Sequence, residues 1–138
     1  MKLLLAVDGS KFSEAAIQAV LSQFQPRDTE VEILNVVDLP LPIPTSDAAG
    51  FRELSYQHGE ELVQRTARQL SDAGYKTQTV VNEGYPSAKI VEQAAQWKAD
   101  LIVMGSHGRK GIERFLMGSV AEFVSRHAPC SVEVVRAA

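Results

Sequence analysis

Gly105, Gly108 and Gly118 stand in the spacing Gly-x2-Gly-x9-Gly-Ser, inside the stretch GSHGRKGIERFLMGS at residues 105–119. Two kinds of chemistry ask for that pattern. A loop that turns tightly needs residues free to adopt backbone angles closed to others, and a loop that cradles a bulky anion needs its amides uncovered. Gly118-Ser119 is placed to open a helix. The first N–H groups of a helix and the positive end of its dipole suit a phosphate, and Ser119 adds a hydroxyl. His107, Arg109, Lys110 and Arg114 lie between the glycines. The plainer reading is a tight strand-to-helix turn with an ordinary cap and a solvated basic face. Asp8, in LLLAVDGS, is a second polar residue at a chain break, with the local alternative of capping the turn at Ser10 or Lys11.

Alternating strands and helices must position these residues. Leu3 to Val7 is short and apolar throughout, as a strand buried on both faces requires. Ser10 is a good N-cap for a helix carrying Ile17, Val20, Leu21 and Phe24 on one stripe. Residues 30–37 read as a second strand. DLPLPIPTSD, with Pro40, Pro42 and Pro44, is expected to be an irregular loop, with Ser46 or Asp47 capping the next helix. Phe51, Leu54, Leu62, Ala67, Leu70 and Ala73 sketch the apolar face of that helix, and Gly74 is its stop. Tyr75 to Asn82 alternates polar and apolar residues and suits an edge strand. Pro86 fits the first turn of a third helix with Ile90, Val91, Ala94 and Trp97 inward. Leu101 to Met104 is a second doubly buried strand. Val120, Phe123, Val124 and His127 mark a last helix, which Pro129 ends, and 131–136 is a last strand.

The expected fold class is therefore α/β: a single domain over 1–138 with an open parallel five-stranded sheet and helices on both faces. The apolar strands 1 and 4 belong at the centre and the polar strand 3 at an edge, which gives the order 3-2-1-4-5. In such sheets ligands bind beyond the carboxyl ends of the strands where the chain reverses direction. Asp8 ends strand 1 and Gly105 ends strand 4, so both fall at that point.

Composition narrows the possibilities. The 138 residues carry 14 basic and 17 acidic side chains, a net charge of −3. That argues against nucleic acid as the main partner, since such binding neutralises phosphates with clustered Lys and Arg. Cys130 is the single cysteine, so neither an internal disulfide nor a cysteine metal site can form. It reads as a small buried residue at a strand start, with a reactive thiol as the lesser alternative. The apolar run at the N-terminus is shorter than that of a signal peptide, and no run approaches a membrane span. A soluble, cytoplasmic protein is expected, with a membrane-protein partner left open.

LLLAVDGS, ADLIVMGSHGRKG and FLMGSVAEFVSRHAPCSVEVVR together resemble the universal stress protein family over essentially the whole chain, and the glycine signature resembles that of its ATP-binding branch. The resemblance implies a Rossmann-like fold of the adenine nucleotide alpha hydrolase type. It implies ATP as ligand with little or no strong hydrolysis, a homodimer through the strand 131–136, and a role in stress survival and regulation. It places Ala6, Val7 and Asp8 at the nucleotide, with Asp8 near the ribose and available to a magnesium ion. It sets Val36 in the adenine pocket beside Val37. Met104, Gly105, His107 and Gly108 match the ribose and phosphate loop, with Arg109 following. Gly118, Ser119 and Val120 match the helix start that holds the phosphates. Ser10 is a cap first and a phosphate contact second, and His58 and His127 are expected to be plain helix-face residues. Glu133 departs from the apolar pattern of the family's last strand and puts the ordinary dimer geometry in question.

Other nucleotide motifs are absent. The chain has no Gly-x4-Gly-Lys-Ser/Thr loop and no Gly-x-Gly-x-x-Gly fingerprint, and no metalloprotease or hydrolase-elbow motif. A phosphorelay receiver would want more acidic residues than Asp8 and Glu83 supply. An efficient ATPase needs a positioned base and a metal clamp, and no residue stands out for either. Three readings stay open: an ATP-binding regulatory protein, a slow nucleotide hydrolase or phosphoryl-transfer enzyme in the same pocket, and a dimeric interaction protein whose loop is structural and empty.

Overall fold

The computed structural model of the chain describes residues 1–38, 45–108 and 117–137. Among them run β1 (Lys2–Ala6), α1 (Lys11–Gln23), β2 (Glu30–Val37), α2 (Thr45–Asp72), β3 (Lys76–Glu83), α3 (Pro86–Trp97), β4 (Leu101–Gly105), α4 (Ser119–His127) and β5 (Ser131–Val135). The strands form one sheet in the order β3-β2-β1-β4-β5, every pairing parallel. The apolar β1 and β4 are central and the polar β3 lies at an edge, as expected. Leu3 sits level with Val31 on one side and Leu101 on the other.

Side chains alternate across a strand, so β1 feeds two layers. Leu3 and Leu5 pack with Val31 and Ile33 under α1 and α2, against Ile17, Val20, Val63 and Leu70. Leu4 packs with Leu34, Ile102 and Met104 under α3 and α4, against Ile90, Ala94 and Val124. Leu3, Leu4 and Leu5 are completely buried, each worth about 1.5–3 kcal/mol of transfer free energy. This centre holds the carboxyl ends of β1 and β4 in fixed register.

Turn chemistry sets the helix ends. Gly9, at φ +83°, makes a turn that a side chain would strain. Ser10 Oγ then accepts the Ser13 N–H at 3.2 Å and caps α1. Gly74, at φ +99°, ends α2 as expected. Tyr75 follows it inward, its hydroxyl donating to the Phe24 carbonyl at 2.6 Å and lying 3.0 Å from that of Val20. This ties the end of α1 to the start of β3.

Several expectations change. α2 runs Thr45–Asp72, so Ser46 and Asp47 lie inside the helix and not ahead of it. Phe51 and Leu54 are 42% and 50% exposed because the start of α2 runs past the sheet, and Ala73 is exposed beyond the helix end. On α4 the buried positions are Ala121 and Val124, whereas Phe123 and His127 stack on each other outside at 4.3 Å. β5 ends at Val135, one residue before the expected limit.

Two buried polar side chains in β2 escaped the pattern. Glu32 is 1% exposed. It accepts hydrogen bonds from the amides of Gln78 on β3 and Gln93 on α3, which make its burial tolerable. Asn35 donates its amide to the Val7 carbonyl at 2.9 Å, pinning the end of β1 to β2.

Candidate functional site

β1 and β4 part at their carboxyl ends because α1 leaves from one and the glycine loop from the other. A cleft of about 610 Å³ opens there, within the range of small-molecule sites. Its floor is made by Ala6, Val7 and Asp8 after β1, by Leu34 to Asp38 along β2, and by Met104, Gly105, His107 and Gly108 from β4 onward. Gly118 to Ala121 at the start of α4 form one wall, Pro86 and Ile90 of α3 continue it, and α2 forms the facing wall.

Every site residue expected from the sequence lines this cleft except Arg109, which lies outside the described residues, as do Lys110 and Arg114. The fold thus gathers Asp8, Val36 and Gly118, which are spread over 110 residues of the chain.

Of the two needs expected of the glycines, special backbone angles are not the one they serve. None of Gly105, Gly108 and Gly118 adopts positive φ. They are places without room for a side chain. A Cβ on Gly105 would come within 2.7 Å of the Phe12 main chain, because α1 crosses β4 there. One on Gly118 would sit 3.1 Å from the Ser106 carbonyl, to which the Gly118 N–H donates at 2.6 Å. Among the described residues, one on Gly108 would meet only the Asp8 carboxylate, at 3.1 Å. Gly105 and Gly118 therefore pack the loop, and Gly108 keeps the space before Asp8 clear.

Asp8 has a local task. Its Oδ1 accepts the Ser10 N–H at 3.0 Å while its own N–H donates to Ser13 Oγ at 3.3 Å. His107 is 8% exposed, with Nδ1 2.9 Å from Ser106 Oγ and its ring 5.0 Å from that of Phe12. The imidazole is thus packed within the loop. Among the described residues no three His, Cys, Asp or Glu side chains gather to hold a metal ion, so magnesium is assigned no side-chain site.

The two helices that begin at the cleft differ. Ser10 caps α1 with its side chain. Gly118 offers α4 no side-chain cap, and Ser119, Val120 and Ala121 of its first turn line the cleft, with no bond to their N–H groups among the described residues. Backbone donors there, beside a helix dipole, suit an anion. Val36, Val37, Ile90 and Met104 give the cleft an apolar lining as well, the kind of surface on which a flat ring can pack.

The α2 wall was not legible in the sequence. Phe51, Ser55, His58, Gly59 and Leu62 all face the cleft, a spacing of one helical face. The helix comes this close because Gly59 has no side chain; a Cβ there would lie 2.6 Å from Asn35 Oδ1. His58, expected to be a bystander, is part of this wall.

The profile described as the universal stress protein family matches residues 1–136. A universal stress protein of Methanocaldococcus jannaschii is 38% identical, the match spanning 98% of this chain and 81% of the relative. A universal stress protein of Lactobacillus plantarum superposes with a TM-score of 0.86 at 26% identity, over 99% of this chain and 97% of the other. An Arabidopsis thaliana protein of the same family, solved with AMP bound, superposes at 0.76 with 18% identity, over 100% and 92% of the two chains. A universal stress protein solved in complex with cAMP superposes at 0.73 with 22% identity, over 100% and 98%. At those last two identities the likeness speaks for the fold.

Proposed function

The chain belongs to the universal stress protein family, and from that premise we propose that it is an adenine-nucleotide-binding regulatory protein of the stress response. ATP occupies the cleft between β1 and β4, its base against Val36, Val37 and Met104 and its phosphates on the amides that open α4. The observation that carries this reading is the uncapped α4 terminus lining the same cleft as the apolar residues. Two structural neighbours hold AMP and cAMP, which supports an adenine nucleotide as the ligand class. In this reading the protein holds and senses nucleotide, with at most weak hydrolysis. The site is cytoplasmic in this reading, where ATP is abundant.

The partner is a second copy. β5 is an edge of the sheet with Val132 and Val134 half-buried, and antiparallel pairing with its twin would cover them. Glu133 has a half-buried side chain on the opposite face, away from those valines.

Mass spectrometry of small molecules released from freshly purified protein, followed by calorimetry on stripped protein, tests the reading. Bound ATP or AMP, or saturable binding at micromolar to submillimolar ligand, is expected. No binding at millimolar ATP, AMP or cAMP overturns it. Release of ADP from bound ATP within minutes would favour the enzyme alternative. Sedimentation of a monomer at tens of micromolar would overturn the dimer.

A further inference from the structure

The α2 wall of the cleft is fastened to the sheet by one carboxylate. Glu83 ends β3 level with Val37 of β2. Its Oε2 accepts a hydrogen bond from the Tyr56 hydroxyl at 3.1 Å and lies 2.6 Å from an Arg52 guanidinium nitrogen. Arg52 and Tyr56 stand one turn apart on α2, with the guanidinium carbon 6.0 Å from the centroid of the Tyr56 ring. Their chain neighbours Phe51 and Ser55 line the cleft, whereas Arg52, Tyr56 and Glu83 do not. The three residues thus hold the wall without forming part of its surface.

The stretch they hold has little burial of its own. From 49 to 58 every residue is exposed except Ser55 and Tyr56, which are half-buried. The buried face of α2 begins at Gly59 and continues through Leu62, Val63, Ala67 and Leu70. Apolar packing therefore fixes the later turns of the helix and not those that carry Phe51 and Ser55. Segments with so few buried contacts open locally at low free-energy cost. Further along, Gln64 reaches Thr79 at 3.5 Å and Ser71 reaches Thr77 at 2.9 Å. The helix thus runs antiparallel to β3 on a row of polar contacts, and the charged one stands at the cleft end.

We propose that Glu83 is a positioning residue for nucleotide binding, latching the first turns of α2 over the cleft through Arg52 and Tyr56 without touching the ligand. This rests on the nucleotide reading above and adds the device that keeps the α2 wall in place. Protein with the latch open lacks the Phe51 and Ser55 part of the wall, and apparent affinity falls with the fraction closed. The sheet register sets the latch level with Val37, on the apolar lining assigned to the base, so adenosine, AMP and ATP all sense it. Electrostatics alone predicts the opposite sign. Removing a carboxylate and freeing Arg52 makes the surroundings more positive and would tighten ATP by Coulomb attraction.

The test is calorimetry of adenosine, AMP and ATP on stripped wild-type protein, Glu83→Gln, Tyr56→Phe and the charge swap Arg52→Glu/Glu83→Arg, with amide hydrogen exchange on each. Glu83→Gln is expected to bind all three ligands about two- to fivefold more weakly, the range an exposed ion pair supports. The swap should recover most of that loss, and Tyr56→Phe should show a smaller one. Wild-type affinity for uncharged adenosine should fall as salt screens the pair. In Glu83→Gln the amides of 52–58 should exchange faster while those of 62–70 keep their protection. Adenosine bound by Glu83→Gln as tightly as by wild type, or ATP bound more tightly, overturns the inference while nucleotide binding stands. So does a swap as weak as the single variant, or protection lost equally along 62–70, which marks a general structural role. If no protein binds any of the three ligands, the nucleotide reading falls as well.

Discussion

Replacing Gly59 by alanine tests the packing that shapes the cleft. In an exposed helix interior this change stabilises by about 1 kcal/mol. Here the new Cβ would stand 2.6 Å from Asn35 Oδ1 and 3.2 Å from Val81 Cγ1. Asn35 must move, and its amide holds the Val7 carbonyl at 2.9 Å. Overpacking costs about 1–3 kcal/mol, and stranding a buried carbonyl costs about 1–3 kcal/mol more. Set against the propensity gain, the net is a loss of about 1–5 kcal/mol, centred near 3. For a domain of this size that lowers Tm by roughly 10 °C. Gly50 in the same helix is the control, because a Cβ there meets no described residue within 4 Å; Gly50→Ala should raise stability by up to about 1 kcal/mol. Chemical denaturation of both variants, and of Gly59→Ala on an Asn35→Ala background, is the assay. Most of the penalty should vanish in the double variant. Equal stabilisation by both alanines would refute the close approach of α2 to β2, and with it the α2 wall.

Gly105→Ala should destabilise strongly, since its Cβ meets main chain at 2.7 Å, whereas Gly108→Ala meets only a side-chain carboxylate at 3.1 Å. The second should melt like wild type yet bind ATP about tenfold more weakly, a loss of the order of one charge-assisted hydrogen bond. Burial raises the Tyr75 pKa, so its contribution is complete below the unfolded phenol's value near 10 and is lost as pH rises through the higher folded value. Tyr75→Phe should cost about 1–2 kcal/mol at pH 7 and lose less stability than wild type in alkaline melts. The Cys130 thiol is pushed up by burial and then by Asp100, so it should react with a disulfide reagent at pH 8 more slowly than free cysteine does, and at the ordinary rate once unfolded.

The strand order was legible because LLLAV and LIVM are apolar on both faces and can only be central, while the polar residues of 76–83 can only sit at an edge. The meeting of Asp8 and Gly105 at one crevice, and Gly118-Ser119 as the opening of α4, followed from that order and the glycine spacing, whereas Val36 and Met104 were placed by the family resemblance. The reason for the glycines was not legible: steric exclusion by Phe12, Ser106 and Asp8 depends on which elements cross, and one chain's spacing does not reveal it. The α2 wall escaped for a related cause. The proline-rich stretch hides where α2 begins, so Phe51 and Leu54 read as core, although about four turns of the helix precede its contact with Asn35 at Gly59. Glu32 was missed because its partners, Gln78 and Gln93, come from two other elements.

The central claim is that the open amides at the start of α4 and the apolar lining at Val36 receive one adenine nucleotide. Amide-resolved NMR of stripped protein titrated with ATP examines it directly. The account predicts saturable shifts of Gly108, Ser119, Val120, Ala121, Val36 and Val37, with the opposite end of the sheet, around Pro26 to Glu30, left unchanged. Unshifted α4 amides at millimolar ATP, or shifts confined to that opposite end, would contradict it.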